Sequence, residues 1–417
     1  MISADPPHME VLVARQAIFD RQRNLYGYEL LFRSDSANNA FDGTEAAAAT
    51  MQVLSNTLMS IGAEQLLGGK KAFVNFDHRL LSENMHVTLP RESIVIELLE
   101  TVVPTKDLVA LCKTLREQGY SLALDDFTDE PELAPLARIA NVIKVDLRLV
   151  SREKQEHILK THKSPGVQML AEKVETPAEF EWARRAGYDL FQGYFFARPV
   201  VVRGQQISTV KMACLRLLSE TQKATLDFKR LRDLIRDDVS LTYQLLRYVN
   251  SALFARRSKI RSISLALAFL GEENVRRWVA LATLPALATN KPPELVKLSL
   301  VRARFCERLA QRVGIGNASD AFLMGMFSLL DALLDRPLDE ALRSVDLGEE
   351  ITGALLGVAP DGDFLTCLYR LISSYELGDW EQVDQLSRLR QLPSPAIREA
   401  YLEATVWAEQ VIRSVGD

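Results

Sequence analysis

The chain has 417 residues, enough for two or three domains, and 47% apolar residues, enough to give each a core. A formal net charge of −5 offers no electrostatic case for nucleic acid. The four cysteines are scattered without a CxxC pair, which speaks against a disulfide framework or a zinc site and fits reduced core thiols in a cytoplasmic protein. Residues 1–10, MISADPPHME, lack the basic and apolar regions of a signal peptide and read as a frayed leader. No apolar run reaches the ~18 residues of a membrane span. The best, Leu265 to Ala288, is broken by Glu272, Glu273, Arg276 and Arg277. All five histidines precede residue 163, so nothing beyond can supply an imidazole.

From Val11 to about Val200, short apolar runs alternate with amphipathic stretches. The runs are VLVARQAIF, LYGYELLFR, KAFVNF, SIVIELLE, SLALDDF, VIKVDLRLV, VQMLAEKV and LFQGYFF. Between them, Thr44 to Gly62 and Pro104 to Gly119 carry helical spacing and end in glycines placed as helix C-caps. Strand and helix alternating at roughly 25-residue spacing predict βαβ units and a parallel sheet. The number of units predicts an α/β fold, a (β/α)8-like barrel over residues 11–200.

Each run delivers a polar residue near its C-terminal end. Glu29 lies in YELLFR, Asn75 ends KAFVN, and Glu97 ends SIVIE with Glu100 three residues on. Asp125 and Asp126 end SLAL, Lys144 and Asp146 share one face of VIKVDL, Glu172 and Glu175 close VQMLAEKVE, and Gln192 sits in LFQGYFF. Taken singly, each is an ordinary strand-end residue. In a barrel those ends converge on one mouth. Carboxylates crowded there repel unless some protonate or a cation intervenes, and oxygen ligands suit Mg2+, Mn2+ or Ca2+ rather than zinc. The chemistry predicted is metal-assisted hydrolysis of a phosphate ester, with a carboxylate base and the Lys144 charge near a phosphate oxygen.

Together these motifs resemble the EAL domain, the cyclic di-GMP phosphodiesterase fold, over about residues 11–200. Y-E-L-L-F-R stands for its E-A-L-L-R, F-V-N for its asparagine strand and I-E-L-L-E-T for its E-x-T-E segment. D-D-F, K-V-D, A-E-K-V-E-T and Q-G-Y-F-F-A-R-P follow in order. The resemblance implies that Glu29, Asn75, Glu97 and Asp125 ligate Mg2+ or Mn2+, with Asp126 beside them. It implies Glu172 as general base, with Lys144 and Glu175 supporting metal and water. Glu100 would anchor the loop after the aspartates, and Gln16, Arg33, Asp146, Gln192 and Pro199 would line the place of the dinucleotide.

Three positions depart from that pattern. Leu30 replaces the signature alanine. Lys173 replaces the glycine of A-E-G-V-E, which sets a long cation beside the base, able to pair with a carboxylate or to fill the metal's place. Thr128 to Leu133, TDEPEL, replaces a glycine- and serine-rich loop, and Pro131 stiffens it.

Residues 201–207 read as a linker, and residues 208–417 as one all-helical domain. Leu241 to Leu284 carries apolar residues at helical spacing; Asn250-Ser251 caps one helix or opens the next, and Gly271 breaks two others. Its L-L-R-x-x-N-S-A and A-x-x-x-L-G resemble the HDOD domain, an all-α relative of the HD phosphohydrolases. Where those enzymes carry a His-Asp pair, Leu330 precedes Asp331, and no histidine follows. Histidine-based metal chemistry is therefore excluded in this half by composition, and the resemblance implies a non-catalytic module that meets a protein partner. Arg256 to Arg261 reads as a solvated loop. Pro395 to Val415 reads as one amphipathic helix with Leu402, Trp407 and Val411 on a face.

The whole chain resembles the EAL–HDOD signalling proteins, and three readings stay open. The preferred one is a regulator whose barrel binds cyclic di-GMP or a protein partner with little or no hydrolysis and needs no cofactor. The second is a working phosphodiesterase dependent on Mg2+ or Mn2+. The third is a scaffold that has lost the nucleotide. None involves a membrane.

Overall fold

The computed structural model describes residues 11–34, 67–82, 86, 91–99, 102–198, 208–223, 225–251, 259–314, 316–345, 347–360 and 362–416. Eight strands close into a barrel in sequence order: β1 (Val11–Asp20), β2 (Leu25–Ser34), β3 (Lys71–Phe76), β4 (Ile94–Leu98), β5 (Ser121–Leu124), β6 (Val142–Asp146), β7 (Gln168–Glu172) and β8 (Leu190–Gln192). From β2 to β8 neighbours run parallel. The expectation of a wholly parallel sheet fails at β1, which is antiparallel to both β2 and β8. The reason is local. Arg21 to Asn24 is too short for a crossover, and the Asp20 carboxylate closes the turn by accepting from the amides of Gln22 and Asn24, both at 2.8 Å.

Helices on the outside fix where strands begin and end. The helix Lys106–Glu117 (α2, after the short α1, His78–Ser82) starts at Thr105, whose side chain accepts from the Leu108 amide, and buries Leu108, Cys112 and Leu115. Gly119, at φ +94°, then turns the chain into β5. After α3 (Ala134–Ala137) and α4 (Arg152–His162), α5 (Pro177–Ala186) opens on a capping box between Thr176 and Glu179 and stops at left-handed Gly187. That cap lies directly after Glu172 and Glu175, so it fixes the end of the loop that carries them.

Side-chain alternation divides the barrel wall into two faces. Phe76, Ile96, Leu124, Ile143, Val145 and Ala171 face outward into the layer of helices. Ile18, Phe73, Val95, Ala123, Val142, Leu170 and Leu190 form a separate interior plug. The mouth is built on this plug.

The chain divides into two compact units, Met1–Phe196 with Leu371–Asp417, and Ala197–Arg370. The helices after Leu371, expected to complete a domain of residues 208–417, therefore group with the barrel. The second unit holds α6 (Thr209–Gln222), α7 (Phe228–Arg236), α8 (Val239–Val249), α9 (Ile263–Leu287), α10 (Pro293–Val313), α11 (Ala318–Phe327), α12 (Leu330–Leu334), α13 (Leu338–Arg343) and α14 (Glu349–Leu356). Gly271 kinks α9 at φ +71°. Gly325 lets α10 and α11 touch, since a Cβ there would lie 2.4 Å from the Arg302 carbonyl oxygen. The remaining helices are α15 (Phe364–Leu377), α16 (Trp380–Arg390) and α17 (Ser394–Gly416).

Asn250 shows what the N-S-A motif is for. It ends α8, and its amide donates to the carbonyls of Leu246 (2.7 Å) and Ile260 (2.8 Å) while its oxygen accepts from the Ile260 amide at 2.8 Å. Ile260 is buried, so Asn250→Ala leaves both of its backbone groups unpaired. Denaturant titration of Asn250→Ala is expected to show the helical unit destabilised by about 2 kcal/mol.

Candidate functional site

The site follows from strand period alone. Two residues beyond the interior plug along β3, β4, β5, β6, β7 and β8 stand Asn75, Glu97, Asp125, Lys144, Glu172 and Gln192. On the antiparallel β1 the same level lies two residues earlier, at Gln16, which pairs across to Glu29 on β2. One apolar layer thus carries one polar layer, and the carboxylates meet because the sheet closes.

Lys144 is the centre of that layer. Its ammonium is fully buried and lies 2.7 Å from Asp125 Oδ1, 2.9 Å from Glu172 Oε1 and 3.7 Å from Glu29 Oε1, and it donates directly to Glu97. Burial alone would favour loss of its proton; Glu172, Glu29, Glu97 and Asp125 outweigh this and hold its pKa well above the usual lysine range. Burial lifts Glu97 well above the carboxylate range despite Lys144. Burial likewise pushes Glu172 up to about 8, with Asp125 and Glu29 adding to the rise and Lys144 opposing it. Asp126 is raised by burial and by Asp125 beside it.

The layer has unused oxygens. Asn75 Oδ1, Glu97 Oε2 and Glu172 Oε2 are buried without a hydrogen-bond partner. Carboxylate oxygens of Asp125, Asp126 and Glu172 lie within 4.8 Å of one another. Buried acceptors without donors are costly, and an all-oxygen set of this kind fits a hard divalent cation such as Mg2+ or Mn2+.

The expected residues fall into distinct places. Gln192 Nε2 donates to Gln16 Oε1 at 3.0 Å and to the Glu29 carboxylate. Asp146 is buried and serves the turn after β6, accepting from the amides of Arg148 (2.7 Å) and Leu149 (3.2 Å). Glu175 stands apart from the cluster, half exposed and 3.0 Å from Arg148, a partner the sequence reading missed. Glu100 and Pro199, and the Arg33 side chain, lie outside the described residues.

Lys173 does not take a cation's place among the carboxylates. Its ammonium reaches outward to Asp146 at 2.5 Å. Burial would raise the Asp146 pKa, but the Lys173 hydrogen bond and the Arg148 amide hold it below the ordinary range. Lys173 also sits at φ +53°, in the left-handed region, which explains why glycine suits this position. The altered loop is pinned rather than loose. Phe127 is buried, donates its amide to the Lys144 carbonyl at 2.9 Å and packs edge-on against His162. Asp129, at φ +59°, lies 2.6 Å from His162 Nε2, and Pro131–Leu133 form a 3-10 turn.

In the second unit the helix expected to replace a His-Asp pair is apolar, with Leu330 buried before Asp331. Nearby, Arg302 donates to Ser328 Oγ at 3.0 Å. No imidazole is available there, as the composition requires.

The EAL domain model matches residues 8–199, and the HDOD domain model matches residues 207–334. A Bacillus subtilis relative, the uncharacterized protein YuxH, is 36% identical over 97% of this chain and 99% of its own length. The chain is an EAL–HDOD protein. The Vibrio cholerae relative named cyclic di-GMP phosphodiesterase CdgJ is 35% identical to it over 97% of this chain and 93% of its own. Klebsiella pneumoniae BlrP1, solved with manganese and cyclic di-GMP, is 25% identical to the EAL–HDOD protein, covering 46% of this chain and 57% of that one with a TM-score of 0.39. No helix among the described residues is long and apolar enough to cross a membrane.

Two outcomes are expected from this electrostatics. Glu172 has a folded-state pKa raised to about 8, so it keeps a proton near neutrality that a cation must displace. Mn2+ affinity should rise with pH by up to about tenfold per unit, flattening above pH 8, and calorimetry in buffers of different ionisation heat should register the released proton. Lys144→Met leaves the carboxylates uncompensated. It should destabilise the barrel by about 3 kcal/mol or more at pH 8, with stability restored by Mn2+ or by lower pH in thermal unfolding.

Proposed function

We propose that this EAL–HDOD protein is a metal-dependent phosphodiesterase that opens cyclic di-GMP to the linear dinucleotide, acting in the cytoplasm. The observation that carries this reading is the polar layer with its orphaned buried oxygens on Asn75, Glu97 and Glu172. The two sequence features that had favoured a non-hydrolysing regulator also lose weight: Lys173 is turned to Asp146, and the altered loop is pinned in place. The relation to CdgJ across the whole chain supports the same reading.

Glu29, Asn75, Glu97, Asp125 and Asp126 would hold Mg2+ or Mn2+. When bound, the cation would polarise the phosphate and lower the pKa of water beside it. Glu172, with a pKa near the working pH, takes the proton from the attacking water. Lys144 keeps its charge and offsets the carboxylates, so the layer stays together whether or not substrate is present. Gln16 and Gln192 offer amides to the dinucleotide, and Arg33 would meet a phosphate. Asp146 and Glu175 act from behind, through the Lys173 and Arg148 pairs. The helical unit has no histidine for metal chemistry and, on this reading, serves as an interaction module for a protein partner.

A second reading, binding without turnover, is favoured by the position of Lys144 amid four carboxylates, where it already neutralises part of the charge a cation would meet. Chromatography of products decides. With Mn2+, linear dinucleotide should form, and Glu29→Ala or Glu172→Gln should lower kcat by at least about a thousandfold. Calorimetric binding of cyclic di-GMP without any product would favour the second reading, and absence of binding would sink both.

A further inference from the structure

β1 is longer than the strand beside it. Ile18, Phe19 and Asp20 pair with β8, and no β8 residue pairs with β1 on the Val11 side of Ile18. An unpaired strand edge leaves backbone donors and acceptors to satisfy. One side chain does this at Val13. The Val13 amide donates to the Tyr375 hydroxyl at 3.3 Å, and that hydroxyl donates to the Val13 carbonyl at 2.8 Å.

Tyr375 is fully buried and is braced by Trp380 at 5.3 Å and Tyr401 at 4.8 Å between ring centroids. The next residue reaches the mouth. Glu376, 3% exposed, accepts on its carbonyl from Gln16 Nε2 at 3.4 Å, and its carboxylate accepts from the Tyr194 hydroxyl at 3.5 Å. Gln16 accepts from Gln192, and Gln192 donates to Glu29. A continuous line of hydrogen bonds thus runs from α15 to a carboxylate of the cation layer. Leu402 of α17 packs on the barrel core, holding the same segment from outside.

We propose that Tyr375 and Glu376 are positioning residues for the barrel mouth: they set Gln16 and Gln192, and through Gln192 the orientation of the Glu29 carboxylate. This rests on the metal-site reading above. It also gives the chain after residue 370 a role in the site, reached only after the chain has passed through the second unit.

The test uses the full chain and Mn2+ as the probe. Tyr375→Phe removes one oxygen and keeps the ring. It should weaken Mn2+ binding by about tenfold in calorimetry, as loss of an outer partner does. Amide exchange should quicken at Val13 to Gln16. Gln16→Ala, which breaks the line where it meets the Glu376 carbonyl, should weaken binding by a similar factor. Leu402→Ala loosens the same segment without touching the mouth. It should lower Tm at least as much as Tyr375→Phe yet leave Mn2+ affinity within about twofold. If Tyr375→Phe binds Mn2+ like wild type, or Leu402→Ala loses as much affinity, the inference is overturned and the metal site stands. If the wild-type chain binds no Mn2+, the metal-site reading falls and takes the inference with it.

Discussion

A single buried ammonium holds the barrel mouth together. Four carboxylates face Lys144 in a layer from which solvent is nearly excluded, and removing any such charge from water is expensive unless it is paired. Lys144 offsets much of this, and the raised pKa values of Glu97 and Glu172 ease the rest. A divalent cation would relieve the same repulsion from the other side. On the proposed reading, cation binding would then be coupled to protonation and to folding.

Backbone strain gathers at the same place. Asp126, Asp129 and Lys173 all occupy the left-handed region, at φ +41°, +59° and +53°. Each costs on the order of 1 kcal/mol for a residue with a Cβ. Each is held by contacts that its side chain or neighbours make: Asp129 to His162, Lys173 to Asp146, and the Phe127 amide to the Lys144 carbonyl. A glycine-rich loop would reach the same geometry through freedom. This chain holds its loop through pins.

The helical unit is stabilised differently. Its buried charges are locked structurally, as where Arg277 and Arg304 close on the fully buried Glu307. Its motif asparagine ties two backbone segments together. Meanwhile the segment after residue 370 closes the open edge of β1, so the barrel is completed by residues far away in sequence.

Much of the fold and most of the layer were legible because both rest on short-range period. F-V-N, V-I-E, A-L-D, V-I-K, L-A-E and L-F-Q each place a polar residue two beyond an apolar one, and closure of the sheet brings them together. The same pattern run backwards, Q-A-I, marks Gln16 on an antiparallel strand, and the short link Arg21 to Asn24 between two runs marks the hairpin. Charge balance is a property of three-dimensional distance. Sequence alone could not say that Lys173 turns to Asp146, that Glu175 leaves the acids for Arg148, or that Tyr375 reaches Val13 across 362 residues. Local spacing determined which residues exist to make a site; the packing of distant segments decided which of them meet.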